Sequence, residues 1–108
     1  MKKVPLEIII PIYNEGKNIL KLFEFFEIFI KTEFRILLCY DLEDDDVFNF
    51  KHEFKKFKFE IIFVKNPSSG PCLAIIEGMY FGNSDCVIVY PADDFLNYNI
   101  VDKMYEAF

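Results

Sequence analysis

The stretch that decides the fold is residues 4–16, which read Val4-Pro5-Leu6-Glu7-Ile8-Ile9-Ile10-Pro11-Ile12-Tyr13-Asn14-Glu15-Gly16. Its first part is apolar and β-branched and is followed by Pro11, which predicts a buried strand over residues 4–10. A turn follows, with Asn14 as the expected cap of a helix. Beyond the turn, apolar residues recur every three or four positions, at Ile19, Leu22/Phe23, Phe26 and Phe29/Ile30. This spacing predicts a helix with one buried stripe.

The same alternation of a short apolar run and a helical pattern continues to the end of the chain. Further strands are predicted over residues 34–40, 59–64 and 86–90. Helices are predicted over residues 47–57, from Pro71 to about Gly82, and after Asn99, where Asn99 and Asp102 form a capping pair. The helix after Pro71 is expected to turn Ile75, Ile76 and Met79 inward.

Apolar strands of this kind need helices on both faces of their sheet. The fold class is therefore α/β, with a Rossmann-like, mostly parallel, doubly wound sheet. No repeat, low-complexity tract or linker interrupts the chain, so residues 1–108 are interpreted as a single domain. Gly78 falls in the middle of a predicted helix, which indicates close packing against the sheet.

Composition excludes several classes of protein. The chain has 108 residues, 53% of them hydrophobic, which is too apolar for a disordered protein. Its net charge of −6 argues against a nucleic-acid binder. Four lysines do cluster, but acidic residues surround them, and a solvated helix face is the preferred interpretation: Lys51, Lys55, Lys56 and Lys58. His52 is interpreted as a solvated, non-catalytic side chain.

The cysteines and the hydropathy pattern bear on location. Cys39, Cys72 and Cys86 are odd in number, lack metal-ligand spacing and lie among apolar residues. They are expected to be core residues in a reducing compartment. No run approaches the roughly 20 apolar residues of a membrane helix. A cytoplasmic location is the resulting expectation.

Ligands of open α/β sheets bind beyond the carboxyl ends of the strands. Four polar segments follow the four predicted strands, and the topology predicts that they meet at one edge: residues 11–15, 40–46, 66–70 and 91–94. Asp41 is placed to accept hydrogen bonds from a nucleobase or ribose, whereas Asp44–Asp46 suit the start of the next helix. Asn66 and Ser68-Ser69-Gly70 could meet an anion with free N–H groups, although a plain capped loop is the ordinary interpretation. Asp93 and Asp94 suit a divalent cation, with a solvated acidic turn as the alternative.

The order of these segments resembles the amino-terminal half of a family 2 (GT-A fold) glycosyltransferase. Residues 8–15 resemble that family's strand-one signature, and the Asn18-Ile19 pair follows. A second signature is similar to Cys39-Tyr40-Asp41-Leu42-Glu43, with Tyr40 where an Asp is usual. The third corresponds to Asn66, Gly70, Ala74 and Gly78, and the fourth to residues 87–94, with Pro91 where the first Asp of a D-x-D is usual. The resemblance is nearest to the dolichyl-phosphate-mannose-synthase-like and polysaccharide-biosynthesis branches.

The resemblance implies transfer of a sugar from a nucleoside-diphosphate sugar to a lipid-phosphate or saccharide acceptor. It implies a nucleotide-sugar site made of Pro11, Tyr13, Glu15, Asp41, Asn66, Gly70 and Asp93. It also implies Mg²⁺ or Mn²⁺ at Asp93 and Asp94, and peripheral association with the inner face of a membrane is compatible with it.

A full GT-A catalytic domain is about twice as long as this chain. The chain is therefore interpreted as a truncated, donor-binding half with no catalytic residue of its own and weak or no activity alone. The alternative is a non-catalytic nucleotide-binding or assembly module that self-associates or completes its site with a partner chain, because open sheet edges seek partners. A phospho-acceptor signalling domain and a sugar-nucleotide pyrophosphorylase lack their key residues here.

Overall fold

The computed structural model describes all residues 1–108 and has four parallel strands in one sheet. The elements, in chain order, are β1 (Leu6–Ile12), α1 (Gly16–Phe29), β2 (Phe34–Tyr40), a 3₁₀ segment (Asp46–Lys56), β3 (Glu60–Lys65), α2 (Pro71–Phe81), β4 (Cys86–Val89), a short 3₁₀ turn (Tyr98–Ile100) and α3 (Val101–Ala107). The strand order is β3-β2-β1-β4. The predicted parallel α/β sheet is confirmed. Strands β1 to β3 follow one another toward one edge of the sheet, and β4 is then added on the other side of β1, so the strand order reverses between β1 and β4.

The face of the sheet beneath α1 and the 3₁₀ segment carries the larger core. Phe23 lies at its centre and contacts Phe54, Phe57 and Phe59 edge-on, with ring centroids 5.2–5.7 Å apart. Such edge-to-face pairs stabilise a core beyond the area they bury. Aromatic packing on this face therefore fixes the 3₁₀ segment against α1 and the sheet.

The opposite face is covered by α2 alone. Its core is small: Ile9, Leu37, Cys39, Val64 and Ala74. A Cβ added at Gly78 would lie 3.0 Å from Cγ2 of Ile9 and 3.1 Å from Sγ of Cys39. The interpretation of Gly78 as a site of close helix–sheet packing is confirmed.

A buried ion pair lies at the amino ends of the strands. The Arg35 side chain is fully buried and donates through Nε and Nη2 to Oε2 of Glu7, at 3.1 and 2.5 Å. Nη2 also donates to Oδ1 of Asn83 at 2.6 Å, and Nη1 to the carbonyl of Lys2 at 2.5 Å. Oε1 of Glu7 accepts a hydrogen bond from the backbone N–H of Ser84. This Arg35 network joins β1, β2, the chain start and the turn between α2 and β4.

Two predicted helix details are wrong. Residues 46–56 form a 3₁₀ helix rather than an α-helix, and Asp45 caps it by accepting from the N–H of Val47. Asn14 does not cap α1, because its backbone is in the left-handed region (φ 53°) and its Oδ1 accepts from the N–H of Asp46. The Asn14 side chain, which was expected to cap α1, therefore binds the start of the 3₁₀ segment instead.

Asp102 also has a different role from the predicted one. α3 begins at Val101, so Asp102 already lies inside the helix. Its carboxylate accepts hydrogen bonds from the backbone N–H groups of Lys31 and Thr32 and from the Thr32 hydroxyl. The turn after α1 offers N–H groups without helical partners, and Asp102 satisfies them.

Three side chains expected in the core are exposed: Ile76, Met79 and Cys72. Ala74 and Gly78 are the buried residues of α2, and Ile75 packs against the same core as expected, whereas Ile76 and Met79 point away from the sheet. Cys39 and Cys86 are buried, as expected. The helix was predicted to bury more of its surface than a single sheet contact allows.

None of the helices is both long and apolar enough to cross a membrane.

Candidate functional site

A cavity of about 440 Å³ opens beyond the carboxyl ends of β1 and β2, beside the start of α2. The residues that line it are Pro11, Ile12, Tyr13, Glu15, Asp41, Ser69, Gly70, Pro71 and Ala74. Five predicted site residues are among them: Pro11, Tyr13, Glu15, Asp41 and Gly70. A second cavity, of about 360 Å³, lies at the amino ends of the strands and contains none of them. The carboxyl-end cavity is the candidate site, because parallel sheets bind ligands there.

Asp41 is held in a fixed orientation at the floor of this cavity. Its Oδ1 accepts from Nδ2 of Asn66 at 2.8 Å, and its Oδ2 accepts from the N–H of Gly70 at 2.9 Å. The ammonium of Lys65 binds its backbone carbonyl. A carboxylate has about four acceptor positions, so each oxygen keeps one for a ligand. Asp41 is therefore a rigid hydrogen-bond acceptor that faces the cavity.

Asn66 lies behind Asp41 and does not line the cavity. It is 1% exposed, and its Nδ2 also donates to the carbonyl of Gly70 at 3.2 Å. Its Oδ1 accepts from the N–H of Ser68, and its own N–H donates to the carbonyl of Tyr40. In this structure Asn66 positions Asp41 and the loop before α2.

Tyr13 and Asn14 form an exposed turn that two acidic residues from the next loop hold in place. The carboxylate of Asp45 accepts from the N–H of Asn14, and that of Asp46 accepts from the N–H of Gly16, both at 2.9 Å. Tyr13 is 61% exposed and lines the cavity. Asp45 and Asp46 were predicted to lie at the start of the next helix, but their hydrogen bonds to this turn were not predicted. The only signal in the sequence was Asn14-Glu15-Gly16 after a strand. This pattern indicates a turn, and the backbone N–H groups of such a turn need hydrogen-bond acceptors.

Glu15 is a half-buried carboxyl in an acidic environment. Burial raises the pKa of Glu15, and the nearby charges of Asp93, Asp45 and Asp46 raise it further, against a smaller opposing effect of a hydrogen bond from the Tyr13 N–H. Its protonated form is consequently favoured more than in an ordinary glutamate. Asp93 therefore acts on Glu15 through its charge, although it does not line the cavity.

The start of α2 closes the cavity on the side of β3. Gly70 has a φ of 95°, which L side chains rarely adopt, and Pro71 occupies the first helical turn. No side chain caps the helix. Its first N–H groups and the positive end of its dipole therefore remain available beside the cavity.

The predicted metal ligands do not form a metal site. Asp94 already accepts from the N–H groups of Leu96 and Asn97 and from Nδ2 of Asn97, and these bonds lower its pKa. Asp93 is exposed, and no three His, Cys, Asp or Glu side chains come together as a metal-binding group. Asp94 instead matches the acidic turn that was the alternative interpretation. The residues present do not fit a protein-built cation site.

Comparisons with known proteins extend the geometric picture. The family model described as Glycosyl transferase family 2 matches residues 7–108. No curated protein matches the chain. Among solved structures, the crystal structure of S. aureus TarS 1-349 in complex with UDP-GlcNAc is similar, with a TM-score of 0.69 and 21% identity. The similarity covers 94% of this chain and 30% of that one.

Proposed function

The chain belongs to glycosyl transferase family 2, and we propose that its carboxyl-end cavity binds a nucleoside-diphosphate sugar as the donor of a sugar transfer. One observation carries the proposal: five residues from separate strands and loops line a single cavity at the carboxyl ends of the parallel strands β1 and β2. TarS, which shares the fold at 21% identity, was crystallised with UDP-GlcNAc. That ligand is a nucleoside-diphosphate sugar of the proposed class.

Three features of the cavity have a chemical use in this proposal. Asp41, held by Asn66 and Gly70, accepts hydrogen bonds from the base or ribose. Tyr13, which is exposed and lines the cavity, offers the flat apolar surface of its ring. The uncapped start of α2 supplies N–H groups and a positive dipole end for an anionic part of the ligand.

The proposal assigns no catalytic base and no metal-dependent step to these residues. The acceptor, a lipid phosphate or saccharide as in the branches that the sequence resembles, would bind outside this cavity. The chain spans 30% of the TarS chain that it matches. We therefore expect weak or no transfer by residues 1–108 alone, in the cytoplasm or at the inner face of a membrane. Robust turnover with a panel of sugar nucleotides and acceptors would contradict this expectation.

Calorimetric titration with UDP, GDP and their sugars, with and without Mn²⁺, tests donor binding. We expect Asp41→Ala to weaken nucleotide binding about tenfold or more, because a fixed acceptor is lost. Asp44→Ala is the matched control, since Asp44 is an exposed acid of the same loop. Absence of binding at millimolar nucleotide, or equal losses in both variants, would reject the proposal.

A second candidate function is a nucleotide-binding or assembly module that is completed by a partner chain. The edge strand β4 favours it, because Val87 and Val89 are 37% and 41% exposed and β4 has a neighbour on one side only. Unpaired apolar edges promote association. Sedimentation velocity over a range of concentrations separates the two: a strictly monomeric chain that binds nucleotide rules out self-association.

A further inference from the structure

A separate groove lies along the outer edge of β3. It shares no lining residue with the carboxyl-end cavity. Its volume is about 520 Å³, and the 3₁₀ segment forms its other wall. We name it the lysine groove, after Lys51 and Lys55 on its rim; its floor is formed mainly by Phe57, Phe59 and Phe63.

The edge of the sheet in this groove is open. β3 is the terminal strand and pairs with β2 alone, so the N–H and C=O groups of its outer side have no strand partner. Ile62 and Phe63 both line the groove although successive residues of a strand point to opposite faces. The groove therefore follows the strand edge itself and not one face of the sheet.

The charge of the groove is opposite to that of the molecule. Lys51 and Lys55 are the charged residues that line it, in a chain whose net charge is −6. All five ion pairs of the structure involve other cations: Lys2, Lys3, Arg35 and Lys65. The Lys51 ammonium instead lies 5.3 Å from the centre of the Phe63 ring. These cations lack carboxylate partners within the chain.

We propose that the lysine groove binds an extended acidic polypeptide segment, which adds to β3 as a further strand. The open strand edge supplies main-chain hydrogen bonds, as in other cases of strand addition. The phenylalanine floor receives apolar side chains, and the unpaired lysines bind carboxylates between them. A concave floor of half-buried rings suits a chain of this kind better than a flat anionic bilayer. The inference does not depend on donor binding.

The probe is a fluorescein-labelled peptide of about eight residues in which valine and glutamate alternate, matched to a strand-length segment. We expect fluorescence anisotropy to detect its binding and the double change Lys51→Gln with Lys55→Gln to weaken it about tenfold. The matched control is Lys17→Gln with Lys103→Gln, which alters net charge equally at exposed lysines elsewhere and should leave affinity unchanged. Amide hydrogen exchange of β3 should slow when the peptide binds.

Three results would overturn the proposal. The first is no binding of the peptide. The second is an equal loss in both lysine variants, which would indicate a response to net charge alone. The third is binding of phosphatidylserine vesicles with unchanged exchange of the β3 amides, which would indicate a membrane surface. Unchanged urea denaturation of the lysine variants shows that the chain is folded, so this test stands apart from that of the donor cavity.

Discussion

Asn66 joins three segments of the chain at the edge of the candidate cavity: the end of β2, the end of β3 and the loop before α2. The family signature predicted that Asn66 binds the ligand. Its side chain is instead buried: Nδ2 donates to Asp41 and Gly70, and Oδ1 accepts from Ser68. The residues that line the cavity were predictable, because carboxyl ends of parallel strands meet at one edge. The inward rotation of Asn66 was not, because it depends on how two loops close together.

We expect Asn66→Asp to weaken nucleotide binding and to lower the free energy of unfolding by about 2–3 kcal/mol. The change removes the donor to Asp41 and places a second carboxylate beside it. Urea denaturation and calorimetry provide the two measurements. Asn18→Asp makes the same change at an exposed position of α1 and should have little effect. Equal behaviour of the two variants would contradict the positioning role.

Glu15 should make the stability of the protein depend on pH. Its pKa in the folded chain lies above the ordinary 4.5, because of burial first and then of Asp93, Asp45 and Asp46. The protonated form is therefore favoured by folding, and this contribution is present below pH 4.5 and lost as the pH rises through the folded pKa. Glu15→Gln should raise the melting temperature near pH 7 and have no such effect near pH 4. Glu24→Gln, at an exposed site, is the control, and a gain that is independent of pH would contradict the explanation.

The elements differ in how closely they approach one another. At Gly16 an added Cβ would lie 2.8 Å from Cα of Val47 and 3.0 Å from the carbonyl oxygen of Asp46, both backbone atoms of the 3₁₀ segment. At Gly78 the corresponding contacts are side-chain atoms of Ile9 and Cys39. The helical spacing of residues 47–57 was recognised from the sequence. Intervals of three and four do not separate a 3₁₀ from an α-helix when the segment is short and aromatic.

We expect Gly16→Ala to destabilise the protein more than Gly78→Ala. The first change forces two backbone segments apart, at a cost of about 2–3 kcal/mol. The second strains side chains that can shift, and helix propensity returns about 1 kcal/mol. Urea denaturation of the two variants side by side measures the difference. A larger loss at Gly78 would show that α2 is the more rigid contact.

At the scale of the whole molecule, the Arg35 network and the candidate cavity lie at opposite ends of the strands. The parallel sheet was predictable from its apolar runs, and Glu7 was visible within the first of them. Its pairing with Arg35 was not predictable, since it depends on the register that sets Glu7 beside Arg35. The exposure of Ile76 and Met79 was also missed, because an apolar helix pattern does not show how much of it one sheet can cover.

The Arg35 network should make the protein sensitive to acid. Burial raises the pKa of Glu7, but hydrogen bonds from Arg35, Ser84 and Asn83 outweigh it, so the pKa lies below 4.5. The resulting stability is present above pH 4.5 and is lost as the pH falls through the folded pKa. We expect Glu7→Gln to cost about 3–5 kcal/mol at pH 7, because Arg35 would remain buried without a charged partner.

Denaturation curves of both forms between pH 3 and pH 7 measure this effect. Glu33→Gln is the control, because it removes an exposed partner of Lys2 at 3.6 Å, where about 0–1 kcal/mol is expected. Similar losses in the two variants would show that the buried pair contributes no more than a surface pair.

The turn around Asp94 has a consequence for directed evolution. Every hydrogen bond of Asp94 stays within residues 90–97, whereas the loops after β1 and β2 are bonded to other loops through Asp45, Asp46 and Asn66. Randomising the exposed Pro91 and Asp93 in a display library, with the buried Ala92 unchanged, would therefore disturb no hydrogen bond between loops. Variation in specificity can be selected in that turn first, with Asp94 kept constant as its internal brace.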